Sequence, residues 1–413
     1  MTLSQETFAR LADVAVRVGV NVQPGQKLMV MAPLEAADLV RAVAVKAYEA
    51  GAHDVLVHWS DEKTRRIRLL MAPDAALADY PLWLARGFEE LADAGAAFLS
   101  VASANPELLA GVAPARVAAA TLAEQKAVER FKSYLMGGRV AWSIVSAPTP
   151  GWARKVFPGL AEDEAVVRLW GAIAKASRVD VEDPVAHWRE HARRLADRAQ
   201  ALNRARIRRL RYRAPGTDLS VDLPAGHRWM GGAGPNAAGT AFMPNIPTEE
   251  VFTLPARDGV NGTVRSTMPL AYGGVTIDNI ALTFREGRIV DFTSDTARET
   301  LATLIETDEG SHRLGEVALV PVDSPISSLG ILFYNTLFDE NASCHLAIGR
   351  AYPFTLEGGE AIETDEELVK RGGNVSLTHV DFMIGSAAMD VDADTADGRS
   401  LPILRGGRWA APF

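Results

Sequence analysis

Four stretches in the C-terminal half of the chain place carboxylate and imidazole side chains within segments that otherwise look like protein core. In THVDFMIGS at 378–386, apolar residues alternate with His379 and Asp381. A β-strand with this pattern would bury its apolar side and present the imidazole and the carboxylate together on the other side. The two side chains are therefore a candidate pair of metal ligands, with an exposed strand face as the ordinary alternative.

A further carboxylate, Glu316, lies near the start of the apolar segment LGEVALVPV at 314–322. A carboxylate buried in such a strand is unfavourable unless it is paired, hydrogen-bonded or bound to a metal ion. Glu316 is therefore a candidate ligand. The alternative is a solvated glutamate at the end of the strand.

The segment DENASCHLAIGRAY at 339–352 contributes His345 and Tyr352. At this spacing the two side chains would share one face of a helix, but they would lie on opposite faces of a strand. Gly349 between them weakens the prediction of a helix. The neighbouring Cys344 would diverge from His345 on a helix, so we interpret it as core packing and not as a thiolate ligand.

The fourth stretch, NIPTEEVFT at 245–253, carries two consecutive carboxylates, Glu249 and Glu250. In an extended chain they point to opposite sides, so one can bind a metal ion while the other faces elsewhere. Paired acidic residues are more often solvated surface. This segment is therefore a candidate mainly because the other three segments also carry possible metal ligands.

The elements that must position these residues follow from the periodicity of the chain. Apolar runs at 27–34, 54–59 and 95–101 predict strands, and the apolar spacing within 35–50 and around 84–94 predicts helices between them. An alternation of strand and helix favours parallel pairing in an α/β layer.

The sequence changes character near residue 204. The segment 113–203 is rich in Ala, Glu and Arg and predicts helices. Runs of β-branched and apolar residues separated by turn signals follow, at 207–224, 262–293 and 315–322. We therefore predict an α/β N-terminal domain over 1–204 and a β-rich α+β C-terminal metal-binding domain over 205–413.

The composition limits the classes of partner. A chain of 413 residues with a net charge of −9 has no general positive field for a phosphate backbone, so nucleic acid is not an expected partner. The single cysteine, Cys344, fits a reducing compartment. With neither a secretory signal nor an apolar run long enough to cross a bilayer, we expect a cytoplasmic protein without a membrane partner.

The motifs become specific when they are taken together and in order. NIPTEEVFT, NGTVRSTMPL, DEGSHRLGEVALV, SPISSLGILFYNTLFDENASCHLAIGRAY, GGNVSLTHVDFMIGS and the closing RGGRWA resemble the aminopeptidase T and aminopeptidase S family of metallopeptidases, over nearly the whole chain. The resemblance implies a metal-dependent aminopeptidase that releases N-terminal residues from peptides with a free N-terminus. It also implies two divalent ions per subunit, of Zn²⁺, Co²⁺ or Mn²⁺, and a homodimer.

The ligand set that the resemblance implies takes one or two residues from each of the four stretches. It consists of Glu250, Glu316, His345, Tyr352, His379 and Asp381. Glu249 adjoins a ligand and is itself unassigned, so it is the candidate general base. Two alternatives stay open: another metal-dependent amide or ester hydrolase that uses the same ions, and a non-catalytic binding protein that keeps the fold.

Overall fold

The structure, a computed structural model, describes residues 5–103, 105–362, 364–411 and 413. The chain forms two compact units, Met1–His191 with Ala233–Pro247, and Ala192–Gly232 with Thr248–Phe413. The division between the units and the predicted border near 204 both fall within one helix, Pro184–Ala205. The assignment of 1–204 and 205–413 as separate domains stays a prediction.

The first unit contains a four-stranded parallel sheet with the strand order β2-β1-β3-β4. Its strands are β1 (Lys27–Pro33), β2 (Asp54–Ser60), β3 (Ala97–Val101) and β4 (Trp142–Val145). The central strands β1 and β3 are almost wholly buried, as the near-continuous apolar runs of a parallel sheet require. The three predicted strands are confirmed, whereas β4 lies in the segment 113–203 that was predicted to be helical.

Along the chain, helices precede, separate and follow these four strands. They are α1 (Gln5–Val14), which continues into a π-helical turn (Ala15–Gly19), α2 (Ala37–Glu49), α3 (Glu62–Met71), α4 (Asp74–Leu77), α5 (Leu82–Asp93), α6 (Pro114–Ala127), α7 (Glu129–Met136), α8 (Pro150–Val156), α9 (Glu162–Ala176) and α10 (Pro184–Ala205). In α2 the apolar residues Leu39, Val43 and Ala47 are buried, as their spacing predicts. The helix ends just before Gly51, whose φ of 92° favours glycine.

The remaining strands are short and antiparallel. They are β5 (Ile207–Ala214), β6 (Thr217–Asp222), β7 (Met230–Gly231), β8 (Gly234–Pro235), β9 (Ala241–Phe242), β10 (Val251–Thr253), β11 (Val260–Arg265), β12 (Leu270–Tyr272), β13 (Val275–Ile277), β14 (Ala281–Arg285), β15 (Arg288–Thr293), β16 (Leu314–Leu319), β17 (His345–Gly349), β18 (His379–Met383), β19 (Asp390–Thr395), β20 (Ser400–Arg405) and β21 (Arg408–Trp409). The strands β8 and β9 pair within the first unit, and the others belong to the second. The predicted β-rich character of the C-terminal half is confirmed.

The second unit contains two larger sheets. An eight-stranded sheet has the order β15-β14-β11-β6-β5-β19-β20-β21, and a five-stranded sheet has the order β18-β17-β16-β10-β7. The described part of the unit also contains residues 192–205 of α10 and the short helices α11 (Arg298–Ile305), α12 (Thr336–Asp339) and α13 (Asp365–Lys370). Among the residues that the structure describes, no helix is both long enough and apolar enough to span a membrane.

Candidate metal centre

The register of three neighbouring strands brings Glu316, His345 and Asp381 to one part of the five-stranded sheet. Glu316 of β16 lies opposite Ala347 of β17, which lies opposite Asp381 of β18. His345 is two residues before Ala347, so its side chain points to the same face of the sheet. The hydrogen-bonded strands themselves therefore position these three side chains.

Glu316 belongs to two adjacent groups of possible metal ligands. Its carboxylate lies with Glu250 and His345 in one group and with His379 and Asp381 in the other, and in each group one ligand atom per residue lies within 4.8 Å of the others. The Nε2 atom of His345 is 3.1 Å from Glu250 Oε2 and 3.4 Å from Glu316 Oε1. The Nε2 atom of His379 is 3.5 Å from Asp381 Oδ1. One carboxylate thus joins the two groups.

The two imidazole rings are oriented in the same way. His345 donates its Nδ1–H to the backbone carbonyl of Glu340 at 2.9 Å, with the carbonyl of Ser343 at 3.1 Å. His379 donates its Nδ1–H to the carbonyl of Arg350 at 2.8 Å. Because a carbonyl only accepts hydrogen bonds, the proton of each neutral ring resides on Nδ1 and the Nε2 lone pair faces the carboxylates. Metal-binding histidines are held by the same kind of bond to the second nitrogen.

Burial and mutual contact shift the acid–base properties of the cluster. Burial raises the pKa of Glu316 to about 7, although the two nearby imidazoles act to lower it. Burial alone would lower the pKa of His345, but its contacts with Glu250 and Glu316 outweigh this effect and raise the pKa well above its ordinary value. For His379, burial is outweighed mainly by Asp381, and the pKa rises to about 9. The carboxylates therefore favour positive charge at this position.

The donor set fits divalent cations. Within the described part of the chain, Glu250 Oε2 and Asp381 Oδ1 are buried and accept no hydrogen bond of good geometry, despite the imidazole nitrogens nearby. Buried carboxylate oxygens without a donor are unfavourable, and a cation between them would satisfy both. Carboxylate oxygen and imidazole nitrogen are ligands that suit Zn²⁺, Co²⁺ and Mn²⁺.

Comparison with known proteins assigns the chain to a family, because residues 4–409 match the thermophilic metalloprotease family M29. The chain belongs to this family. It is 52% identical to Aminopeptidase 2 of Geobacillus stearothermophilus, over 98% of each chain. It is 46% identical to Aminopeptidase T of Thermus aquaticus, again over 98% of each chain.

The structure of wild-type AmpT from Thermus thermophilus superimposes with a TM-score of 0.93 at 44% identity, covering 98% of this chain and 100% of that one. The predicted family and fold class are therefore confirmed. The family consists of metalloproteases and the relatives carry aminopeptidase names, so the prediction of a metal-dependent aminopeptidase is confirmed at the level of the family.

Tyr352 lies beside the ligand groups of this metalloprotease but outside the strand that carries His345. Of the two interpretations left open for 339–352, the strand is correct for His345, since β17 spans His345–Gly349 and Tyr352 lies beyond its end. The ring of Tyr352 packs 4.6 Å from that of His379 and stacks on Phe354 at 5.3 Å. Burial and the nearby carboxylates raise the pKa of Tyr352 well above its ordinary value.

Glu249 occupies a different environment from Glu250. Its side chain is buried, and it belongs to neither of the two ligand groups found among the described residues. Its backbone N–H donates to Asn341 Oδ1 at 2.7 Å. This placement agrees with the opposite orientations expected of two consecutive residues in extended chain.

One carboxylate near the candidate ligands, that of Glu340, was not identified from the sequence. Burial raises the pKa of Glu340 well above its ordinary value, and the carboxylates of Asp381 and Glu250 raise it further, so it lies within their electrostatic field. Its carbonyl is the acceptor for His345, five residues later. The available signal was an acidic pair, Asp339 and Glu340, in a segment of mostly apolar and small residues.

Cys344 adjoins His345 in sequence but points away from the ligand groups. Its Sγ atom contacts the backbone of Val320, with a donor and an acceptor at 3.3 and 3.2 Å. Burial raises the pKa of its thiol to about 11, so the sulfur is neutral near pH 7. This agrees with the interpretation of Cys344 as core packing.

Proposed function

We propose that the chain releases N-terminal residues from peptides with a free α-amine, and that it uses two divalent ions, of Zn²⁺, Co²⁺ or Mn²⁺. The proposed ligands are Glu250, Glu316, His345, Tyr352, His379 and Asp381. The observation that carries the proposal is the membership of Glu316 in both ligand groups. A carboxylate has two oxygens, so Glu316 could offer a ligand atom to each of two ions.

The charge of the site supports the binding of divalent ions. The proposed ligands include three carboxylates, those of Glu250, Glu316 and Asp381, and Glu340 lies in the electrostatic field of Glu250 and Asp381. Divalent cations would compensate buried negative charge of this kind. The neutral imidazoles and the phenol of Tyr352 add ligand atoms without adding charge.

In this proposal the ions and the side chains of the protein have separate roles in the reaction. Divalent ions at such a site supply polarisation of the scissile carbonyl and activation of a water molecule. His345 and His379 are held in place through their Nδ1–H bonds. Glu249 is the proposed general base, which takes a proton from the attacking water and passes it to the leaving amine. Glu340 is a second candidate for that role, because it lies in the field of Glu250 and Asp381.

The test compares pairs of peptides that differ in one feature, a free or an acetylated N-terminus. The purified chain, verified to be metal-free, is assayed alone and after addition of Zn²⁺, Co²⁺ or Mn²⁺. We expect cleavage of the free peptides with metal and none without it. Full activity of the metal-free chain would refute the proposal. Equal cleavage of the acetylated peptides would instead favour the alternative of a general amide or ester hydrolase.

We also propose that the chain acts as a homodimer in the cytoplasm. The resemblance to aminopeptidases T and S supports the homodimer, and a single buried thiol, Cys344, suits a reducing compartment. Light scattering of the purified chain would decide the oligomeric state. A monomer over the concentration range of the assay would contradict it.

A further inference from the structure

The carboxylate pair Glu249 and Glu250 lies just outside the strand pairing that fixes the other ligands. The strand β10 begins at Val251, which is the first residue paired with β16, opposite Leu319. By contrast, Glu316 and Asp381 lie within hydrogen-bonded strands. The ladder therefore fixes only the residue after Glu250, and other contacts contribute to the position of Glu250 itself.

The side chain of Asn341 makes such a contact. Asn341 is fully buried, and its Oδ1 atom accepts the backbone N–H of Glu249 at 2.7 Å. Its Nδ2 group donates to the carbonyl of Leu337 at 2.9 Å and to Glu340 Oε1 at 3.3 Å. Its own carbonyl accepts the hydroxyl of Ser324 at 3.3 Å. A single amide thus joins the backbone beside Glu250 to the segment that carries Glu340.

We propose that Asn341 is a positioning residue of the metal centre, which sets the location of Glu250 and Glu340 and so the affinity for the ion bound by Glu250. Positioning both Glu250 and Glu340 requires a hydrogen-bond acceptor and a hydrogen-bond donor on one short side chain. Asparagine supplies both, whereas aspartate supplies acceptors and leucine supplies neither. The proposal rests on the proposed function, since it assumes that Glu250 binds an ion.

The expected effect follows from the burial of these bonds. If Asn341 is replaced by an apolar residue, the N–H of Glu249 loses its acceptor in a buried position, and the backbone shifts to relieve it. Glu340 loses a donor at the same time. Residues that hold metal ligands in place change metal affinity by ~10–100-fold when they are substituted.

The experiment uses the full chain with two substitutions at Asn341 and one matched control. Asn341→Leu removes both kinds of bond, whereas the isosteric Asn341→Asp keeps an acceptor for Glu249. The control is Thr217→Val, because Thr217 is also buried and its Oγ1 atom accepts the backbone N–H of Arg265 at 3.1 Å, on the eight-stranded sheet. For each chain, Zn²⁺ stoichiometry and affinity are measured by competition with a chelator, and the Tm is measured without metal.

We expect Asn341→Leu to bind the more weakly held Zn²⁺ ion ~10–100-fold less tightly than the wild type. Asn341→Asp should lose less, and it also serves if Asn341→Leu does not fold. Thr217→Val should lower the Tm of the metal-free chain while leaving Zn²⁺ affinity unchanged. This separates positioning of the ion from loss of a buried hydrogen bond in general.

Two results would overturn the proposal for Asn341. One is wild-type Zn²⁺ affinity in both Asn341 variants, and the other is an equal loss of affinity in Thr217→Val. The wild-type chain tests the proposed function separately. If it binds no Zn²⁺, the proposed function fails and the role of Asn341 fails with it, whereas two tightly bound ions in the wild type leave Asn341 as the sole point in question.

Discussion

The two large sheets of the second unit differ in the exposure and in the partners of their charged side chains. On the eight-stranded sheet, Arg209 lies opposite Asp222 and the two side chains form an ion pair, each partly exposed to solvent. On the five-stranded sheet, Glu316 and Asp381 are buried, and in the part of the chain that the structure describes their ion-pair partners are imidazoles, such as His379.

The comparison teaches what each arrangement requires. Exposed pairs of opposite charge are solvated and screened, so they need no further compensation and contribute little stability. Buried carboxylates are unfavourable unless a matching positive charge lies beside them. The buried carboxylates of the five-stranded sheet therefore favour the binding of cations, whereas the Arg209–Asp222 pair of the eight-stranded sheet is neutral overall.

The largest effect is expected where a carboxylate or imidazole of the five-stranded sheet is removed. We expect Glu316→Ala and His379→Ala each to lower bound Zn²⁺ and turnover together, by more than the ~100-fold typical of residues that merely support ligands. Metal content by elemental analysis and peptide turnover are measured on the same samples. Asp222→Ala on the eight-stranded sheet is the matched control and should keep both. Full metal occupancy in His379→Ala would remove His379 from the ligand set.

The next effect separates proton transfer from metal binding. We expect Glu249→Gln to keep its metal ions and to lower turnover by ~10²–10⁴-fold, the usual contribution of general acid–base catalysis. Glu340→Gln is assayed in parallel, because Glu340 is the second candidate. If Glu249→Gln turns over at the wild-type rate and Glu340→Gln is slow with its metal retained, the base is Glu340.

Binding of metal should also stabilise the fold. At a free Zn²⁺ concentration of about 100 times the Kd of a site, we expect the folded chain to gain ~2.7 kcal/mol for each ion bound there, because the ions bind the folded state. Thermal unfolding with and without Zn²⁺ measures the gain. Glu316→Ala, which lacks the carboxylate shared by the two groups, should show little of it. A wild-type Tm that does not change when Zn²⁺ is added would contradict the binding of cations by the carboxylates of the five-stranded sheet.

How far the sequence predicts this site depends on the type of contact. Glu316, His379 and Asp381 could be singled out because each polar side chain interrupts an apolar strand pattern, which is visible locally. The strands of the α/β layer were predictable for the same reason. Period-two and helical spacings are properties of neighbouring residues.

Asn341 and Glu340 could not be predicted in this way. The contact between Asn341 and Glu249 joins residues 92 positions apart, and no local pattern encodes it. The strand β4 was missed because its four residues lie within a long segment of helix-forming composition. In these cases tertiary contacts decide the structure, and a single sequence does not display them.

A smaller effect is expected at Asp308, whose carboxylate accepts hydrogen bonds from Leu377 N–H at 2.6 Å, Ser376 Oγ at 2.8 Å and Ser311 N–H at 2.8 Å. We expect Asp308→Asn to lower the free energy of unfolding by ~1–2 kcal/mol at pH 7, because the substitution weakens these hydrogen bonds. The effect is limited because Asp308 is partly exposed to solvent. Urea unfolding of the variant and the wild type at pH 7 measures the difference.

The pH dependence of this difference has a definite sign. Burial acts to raise the pKa of Asp308, but the hydrogen bonds from Leu377 and Ser376 outweigh it and lower the pKa below its ordinary value. A lowered pKa means that the contribution is fully present above the unfolded-state pKa of about 3.9 and is lost as the pH falls through the folded-state pKa. The wild-type advantage should therefore shrink below about pH 4. An advantage that is unchanged at pH 3 would contradict this assignment.

The smallest effect is expected at the exposed pair itself. Arg209 Nε lies 2.5 Å and Arg209 Nη2 3.0 Å from the two carboxylate oxygens of Asp222, a two-bond geometry that favours the interaction. However, the side chains are 44% and 35% exposed, so water solvates both charges. We expect a coupling free energy of ~0.2–1 kcal/mol from a double-mutant cycle of Arg209→Met and Asp222→Asn.

That coupling should decrease when salt is added, because solvent-exposed charges are screened. Urea unfolding of the four chains of the cycle at 0.05 M and 1 M NaCl measures both quantities, and metal content should stay constant throughout. A coupling above ~2 kcal/mol that does not respond to salt would mean that Arg209 and Asp222 behave as a buried pair. The contrast between the two sheets would then lie in the sign of their charges and not in their exposure to solvent.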